Sequence, residues 1–280
     1  MQPTNLAYSP DAPLDAALFR RFCEIAYNKA GISIKEGKES LVSARVSRRL
    51  KALGISTPRE YLAYLESDRT GEELVSFLDA ITTNFTSFFR EPDHFTELSS
   101  HILTLCEAGS RKLRIWCAAS STGEEPYTIA MTMAEALVDR NIDWRVLATD
   151  LSTQVLERAT QGVYPEETVG KIPKPLIHKY FSPVSNTRGE TVYQVKETLR
   201  SRIVFRRLNL IETPYPMSGP LDAILCRNVM IYFDLPVRQA LVTQMERLLA
   251  PHGMLFIGHA ESLAAIKTGL RVVRPSVYRK

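Results

Sequence analysis

The run WCAASSTGEEPYTIAM (116–131) sets two serines, a threonine and a single glycine between an apolar stretch and a helix-like one, with Glu124 and Glu125 where the helix begins. Small residues between a strand and a helix let a ligand approach the backbone closely, as nucleotide-like ligands do in doubly wound sheets. The GxGxxG pattern is not met, because Gly123 is the only glycine, and two acids at a helix N-terminus repel the pyrophosphate that such a turn otherwise holds. About 25 residues further on, LATD (147–150) ends in Asp150, a position from which a carboxylate accepts hydrogen bonds from ribose hydroxyls. These features describe an adenosine-type ligand without phosphates and with positive charge, and S-adenosylmethionine, a sulfonium, fits. Local sequence leaves a second reading equally open: Glu124 and Glu125 complement the helix dipole, and Asp150 caps the helix that starts after Ser152.

Other chemistries find no support. GISIKEGKE (31–39) spaces its glycines wrongly for a phosphate-binding loop and has Glu39 where Ser or Thr is needed. His259-Ala260-Glu261 has the HxE of zinc deaminases, but no cysteine follows it. GxSxG is absent, and the five histidines show no metal-ligand spacing, so no metal is expected.

The elements that must position the loop follow from periodicity. Residues 1–13 hold three prolines and read as a loose arm. From 14 to 83, apolar residues recur at three- and four-residue spacing in LFRRFCEIAY, SLVSARVSRRLKAL, YLAYL and ELVSFLDAI, which predicts a small module of four helices. Residues 84–111 bridge to a segment of different period and are expected to include a linker helix. There LRIWCA, WRVLAT, RIVF, LDAILC and GMLFIG are strand-length runs with helical stretches between several of them, the pattern of a doubly wound parallel α/β sheet over 112–280. Residues 181–206 break the alternation with TVYQV and a hairpin-like Asn186–Gly189, and predict a small antiparallel insert without a helix.

Cys23, Cys106, Cys117 and Cys226 are scattered without a CxxC pair and are expected as reduced core thiols. No signal-like segment and no apolar stretch of membrane-spanning length is present, so a cytoplasmic protein without membrane insertion is expected. A formal charge of +4 does not by itself imply nucleic acid. The charge is nevertheless concentrated in SARVSRRLK, where Arg45, Arg48 and Arg49 share adjoining helix faces without interleaved aromatics for base stacking.

TTNFTSFFRE (82–91), the small-residue loop, LATDLS, Asn209-Leu210 and CRNVMIYFD (226–234) resemble, in order, the motifs of the bacterial chemotaxis-receptor methyltransferases, the CheR family. The resemblance covers about residues 14–280 and implies S-adenosylmethionine-dependent methylation of glutamate carboxylates on chemoreceptors, giving methyl esters and S-adenosylhomocysteine. By motif match it implies cofactor contacts from Asn84, Thr86, Arg90, Glu125, Asp150, Asn209, Leu210, Asn228 and Val229, with Arg227 able to share the last. The family usually has Cys where this chain has Ser120. Arg90 would anchor the substrate carboxylate and Tyr232 would add a hydrogen bond near the sulfonium or substrate. The arginines of SARVSRRLK would dock the glutamate-rich receptor helices, recruiting the enzyme to receptor arrays at the inner face of the membrane, and the insert is a candidate site for a receptor C-terminal peptide. Two other functions fit the same fold: an amine or RNA methyltransferase, whose Asn/Asp-Pro-Pro-aromatic motif is replaced here by Arg227-Asn228-Val229-Met230, and a non-catalytic S-adenosylmethionine-binding docking module.

Overall fold

The computed structural model describes residues 14–82 and 85–280, so the expected arm (1–13) and the Asn84 ligand position lie outside the described residues. The chain divides into a helical unit and a sheet unit, with Tyr232–Asp234 grouped with the former.

The helical unit contains α1 (Ala16–Ala30), α2 (Glu39–Leu53), α3 (Pro58–Ser67) and α4 (Glu72–Ile81). Local chemistry sets the ends. Asp15 accepts from the amides of Ala17 and Leu18, and Thr57 and Glu60 form a reciprocal capping box ahead of α3 with Pro58 in the first turn. The core is aromatic: Phe22 lies 5.5 Å from Phe77 and 5.9 Å from Tyr61, centroid to centroid. Beside it Glu73 is buried, which is costly unless its oxygens are satisfied. They are: Arg49 donates at 2.9 and 2.6 Å and the Tyr61 hydroxyl at 2.5 Å. Tyr232–Asp234 joins this unit through an Ile32–Phe233 bridge and a 2.9 Å bond from the Tyr27 hydroxyl to Asp234.

The sheet unit runs α5 (Asp93–Glu107), β1 (Lys112–Cys117), α6 (Glu124–Ala136), β2 (Asp143–Asp150), α7 (Thr153–Gln161), β3 (Val163–Pro165), α8 (Glu166–Val169), α9 (Lys174–Tyr180), β4 (Phe181–Ser185), β5 (Thr191–Val195), α10 (Glu197–Arg200), β6 (Ile203–Arg207), β7 (Leu221–Cys226), α11 (Leu235–Leu248), β8 (Leu249–Ile257), β9 (Arg271–Arg274) and β10 (Val277–Arg279). Seven strands form one sheet in the order β6-β2-β1-β7-β8-β10-β9. The five from β6 to β8 are parallel, and β10 and β9 close the edge antiparallel. Ile115, Val146, Leu225 and Phe256 are all buried, each side chain removed from water contributing ~1.5–3 kcal/mol.

The order fixes where a ligand can go. The chain builds from β1 outward through β2 to β6, then returns to build β7 and β8 on the other side, so the switch point lies between the carboxyl ends of β1 and β7.

The antiparallel insert is present but shifted. Its sheet is β3-β5-β4 and begins upstream at Val163, whereas β6 pairs parallel with β2 and belongs to the main sheet. The segment expected to lack a helix carries the single turn α10, capped by its own short-range amide bonds. Among the described residues no helix is long and apolar enough to cross a membrane.

Candidate functional site

The small-residue loop leaves β1 at the switch point. Ala118 N donates to Leu225 O at 2.8 Å and Ser120 N to Thr149 O at 2.9 Å, tying the loop to the strands on both sides. Gly123 ends it at φ 101°, and a Cβ there would meet Ala159 Cβ at 2.9 Å and Ala159 Cα at 3.0 Å, so only glycine lets α6 start this close to α7. Ser121 is itself left-handed, at φ 46°. The Ser120 and Ser121 hydroxyls are buried without a hydrogen-bond partner, an arrangement that costs free energy unless a ligand completes it.

The two acids that open α6 have different surroundings. Glu124 is buried and accepts from the Thr122 hydroxyl at 2.7 Å. Burial raises its carboxyl above the ordinary range, with Thr122 opposing. Glu125 reaches the other way: it accepts from the Cys117 thiol at 3.3 Å and from Arg227 Nη1 at 2.7 Å. Burial raises Glu125 as well, against the pull of Arg227. At the end of β2, Asp150 spans two turns, accepting from Ser121 N at 2.9 Å and Ser152 N at 3.0 Å. Asp150 thus ties the small-residue loop to the turn before α7, whose N-cap is Ser152. The Asn209-Leu210 turn adjoins it, since Leu208 N donates to Asp150 O at 2.9 Å, and Tyr215 holds Leu210 O at 2.7 Å.

Across the switch point, β7 ends in Arg227 and Asn228. The Arg227 side chain is fully buried and pairs with Glu125 and, at 3.1 Å, with Glu91. Burial would lower its pKa, but the two carboxylates outweigh it and hold the guanidinium charged. Glu91 accepts from three donors, Arg227, Asn228 Nδ2 at 3.2 Å and His259 N at 3.3 Å. Burial acts to raise its carboxyl, yet Arg227 and the hydrogen bonds hold it below the ordinary range. Arg90, next in the chain, donates from Nη1 to Phe85 O at 2.8 Å. Glu261 accepts the amides of Asn228 at 3.0 Å, Ile231 at 3.2 Å and Gly258 at 2.6 Å, which holds the turn after β7 with Asn228 left-handed at φ 58°.

Within the sheet unit, Glu125 lies in the first turn of α6, Asp150 ends β2, and Arg90, Asn209, Leu210, Asn228 and Val229 lie outside the helices and strands, with Thr86 half-buried in the segment leading to Arg90. Tyr232 groups instead with the helical unit. Of the three arginines expected on an open basic face of α2, Arg49 is committed to Glu73, while Arg45 and Arg48 have no ion pair among the described residues. Three participants escaped the sequence reading: Glu91, Glu261 and the central place of Arg227. Glu91, His94 and His259 present ligand atoms within 4.8 Å of one another. The Glu91 oxygens are already taken, with a guanidinium against them, so this cluster reads as an ion-pair junction.

The family model for the S-adenosylmethionine-binding domain of CheR methyltransferases matches residues 84–278, and that for their all-alpha domain matches 17–82. The chain belongs to the CheR methyltransferase family. It is 38% identical to a chemotaxis protein methyltransferase of Escherichia coli K12, over 95% of this chain and 91% of that one. Chemotaxis protein methyltransferase 2 of Pseudomonas aeruginosa is 41% identical over 93% and 91%, and a Klebsiella aerogenes relative 40% identical over 95% and 90%. Two orphaned hydroxyls, carboxylates in place of phosphate-binding amides, and an acid at the β2 end suit a cationic nucleoside such as S-adenosylmethionine.

Proposed function

We propose that the chain transfers the methyl group of S-adenosylmethionine to glutamate side-chain carboxylates of chemotaxis receptors, as a protein-glutamate O-methyltransferase. The observation that carries this reading is that Arg227, at the end of β7, bonds both Glu125 and the Arg90 carbonyl while Asp150 holds the loop after β1, in a CheR-family chain. Asp150 would hold the ribose, and the Ser120–Ser121 loop with Glu125, Asn209, Leu210, Asn228 and Val229 would line the donor; Asn84 and Thr86 join them on the resemblance alone. When bound, the donor would supply a sulfonium-activated methyl group open to attack by a carboxylate oxygen, the O–CH3 bond forming as the S–CH3 bond breaks and the neutral thioether S-adenosylhomocysteine leaves.

The chain's own residues then have a restricted task. A substrate glutamate with a pKa near ~4.3 is ionised at neutral pH, so no general base is required. Arg90 orients the carboxylate with its planar fork, and positioning with exclusion of water supplies most of the acceleration. Tyr232 is assigned a hydrogen bond to the reacting groups on the resemblance alone. Arg45 and Arg48 steer glutamate-rich receptor helices to the enzyme, which places it at receptor arrays; exposed charges act on encounter more than on affinity. The insert remains a candidate for a receptor C-terminal peptide. Incubation with tritiated donor and receptor membranes tests the reading: label released by mild alkali supports an ester, and alkali-stable label supports an amine methyltransferase instead.

A further inference from the structure

We infer that Glu91 is a positioning residue for the proposed transfer: through Arg227 its carboxylate fixes the turn that aims Arg90. This rests on the functional reading above and adds to it a residue that the motif match did not select.

Phe89 and Glu91, on either side of Arg90, both lie in the left-handed region, at φ 54° and 56°. Residues with side chains avoid this region, and structures keep such conformations only where the surroundings impose them. Phe89 is held by its amide, which donates to the Thr128 hydroxyl at 3.2 Å, and by its ring, which meets Phe95 edge-on at 5.9 Å. On the other side one nitrogen, Arg227 Nη2, donates both to the Arg90 carbonyl and to the Glu91 carboxylate. Asn228 Nδ2 and His259 N close on the same carboxylate. The main chain around Arg90 is therefore pinned at both ends, while its guanidinium donates to Phe85 O and lies 5.8 Å from the Phe85 ring.

Charge bookkeeping separates this role from neutralising a buried arginine. Arg227 carries one positive charge, and Glu125 already answers it at 2.7 Å. The second carboxylate is surplus to neutrality. What Glu91 adds is its position in the chain, one residue from Arg90, where pairing with Arg227 converts a buried charge into a constraint on backbone direction. Misplacing a reacting partner by about 1 Å costs on the order of 100-fold in rate.

The test is a double-mutant cycle on the full chain, read by single-turnover methylation at saturating donor and receptor, with S-adenosylhomocysteine affinity measured by calorimetry in each variant. Glu91→Gln keeps the shape and removes the charge; it is expected to slow transfer roughly 10- to 100-fold while product affinity stays within about twofold of wild type. Glu91→Asn, a residue tolerant of left-handed backbone, is expected to be equally slow, because the missing element is charge and not conformational ease. In an Arg90→Ala background Glu91→Gln should cost little more, since a residue that acts through Arg90 has nothing left to position. Additive losses, rescue by Glu91→Asn, a wild-type rate in Glu91→Gln, or a rate loss matched by lost product affinity would each overturn the assignment. A wild-type chain that transfers no methyl group at all would instead sink the functional reading on which it rests.

Discussion

Replacing Arg227 by methionine tests the energetics of the site most severely, because it keeps the aliphatic bulk and removes only the cation. The Glu91 and Glu125 side chains, 13% and 12% exposed, would then lose the guanidinium they share. Breaking a buried pair from one side typically costs ~3–5 kcal/mol. The loss includes the bond to the Arg90 carbonyl and the packing of the guanidinium 5.2 Å from the centroid of the Phe95 ring. Its pH dependence has a definite sign. In the variant burial raises both carboxyls above the ordinary value of 4.5, so the folded state retains protons that the unfolded chain has lost. Stability therefore falls as pH rises through that window, by up to ~1.4 kcal/mol per unit per group, and the gap to wild type narrows towards pH 5. The assay is urea unfolding at pH 7 and pH 5 followed by tryptophan fluorescence. Trp116 and Trp144, the only two tryptophans, are buried on β1 and β2 and report on the sheet unit. A loss below ~1 kcal/mol at pH 7, or a gap that does not shrink in acid, would refute the picture of two carboxylates held by one guanidinium.

Gly123→Ala should cost ~1–3 kcal/mol of stability and weaken S-adenosylhomocysteine binding, since a methyl at φ 101° collides with the Ala159 backbone; unchanged melting and calorimetric affinity would contradict this. His94, fully buried against Ser276 Oγ at 2.7 Å, has its pKa lowered by burial, reinforced by Arg227 and opposed by Glu91 and Asp93, from 6.5 to about 4. The native state keeps it neutral, so below pH 6.5 the unfolded chain takes up a proton that the folded chain refuses, and stability drops between pH 6.5 and about 4. A His94→Phe variant should lose that part of the slope in urea titrations, and an identical slope would discard the assignment. Reversing Arg45 and Arg48 to Glu should slow receptor methylation while leaving S-adenosylhomocysteine affinity intact, and salt should slow the wild type, because exposed charges are screened beyond ~8 Å at physiological ionic strength. Methylation indifferent to both would remove α2 from docking.

The parts of this structure that could be read in advance are those with local signals. β7 and the second half of β8 are almost wholly buried and appear as apolar runs, β1 and β2 keep apolar runs interrupted by Arg114 and Arg145, and Gly123 with Glu125 marks the turn after β1. In the sequence β6 falls within the insert as well as among the strand-length runs, because IVFRR follows TVYQV closely. Only its parallel register with Val146–Asp150 separates the two sheets. β3, three residues ending in proline, gives almost no periodicity, and β9 and β10 have only four and three residues. The ion-pair junction was hidden for a related reason. Glu91 meets Asn228 across 137 positions and Glu261 meets it across 33, and a carboxylate that serves distant amides looks like any surface acid in the chain. Arg49 misled in the opposite sense: the helical wheel groups it with Arg45 and Arg48, but its reach ends on Glu73.

The central claim is that this site makes a methyl ester on a receptor glutamate, and mass mapping of the product tests it most directly. Receptor cytoplasmic fragment treated with enzyme and S-adenosylmethionine should carry added methyl groups on glutamate side chains within its helical region. These should disappear after mild alkali and fall sharply in amount with Arg90→Ala. Methyl groups on lysine, arginine or nucleic acid that survive alkali, or a receptor left unmodified by an enzyme that binds S-adenosylhomocysteine normally, would contradict the account.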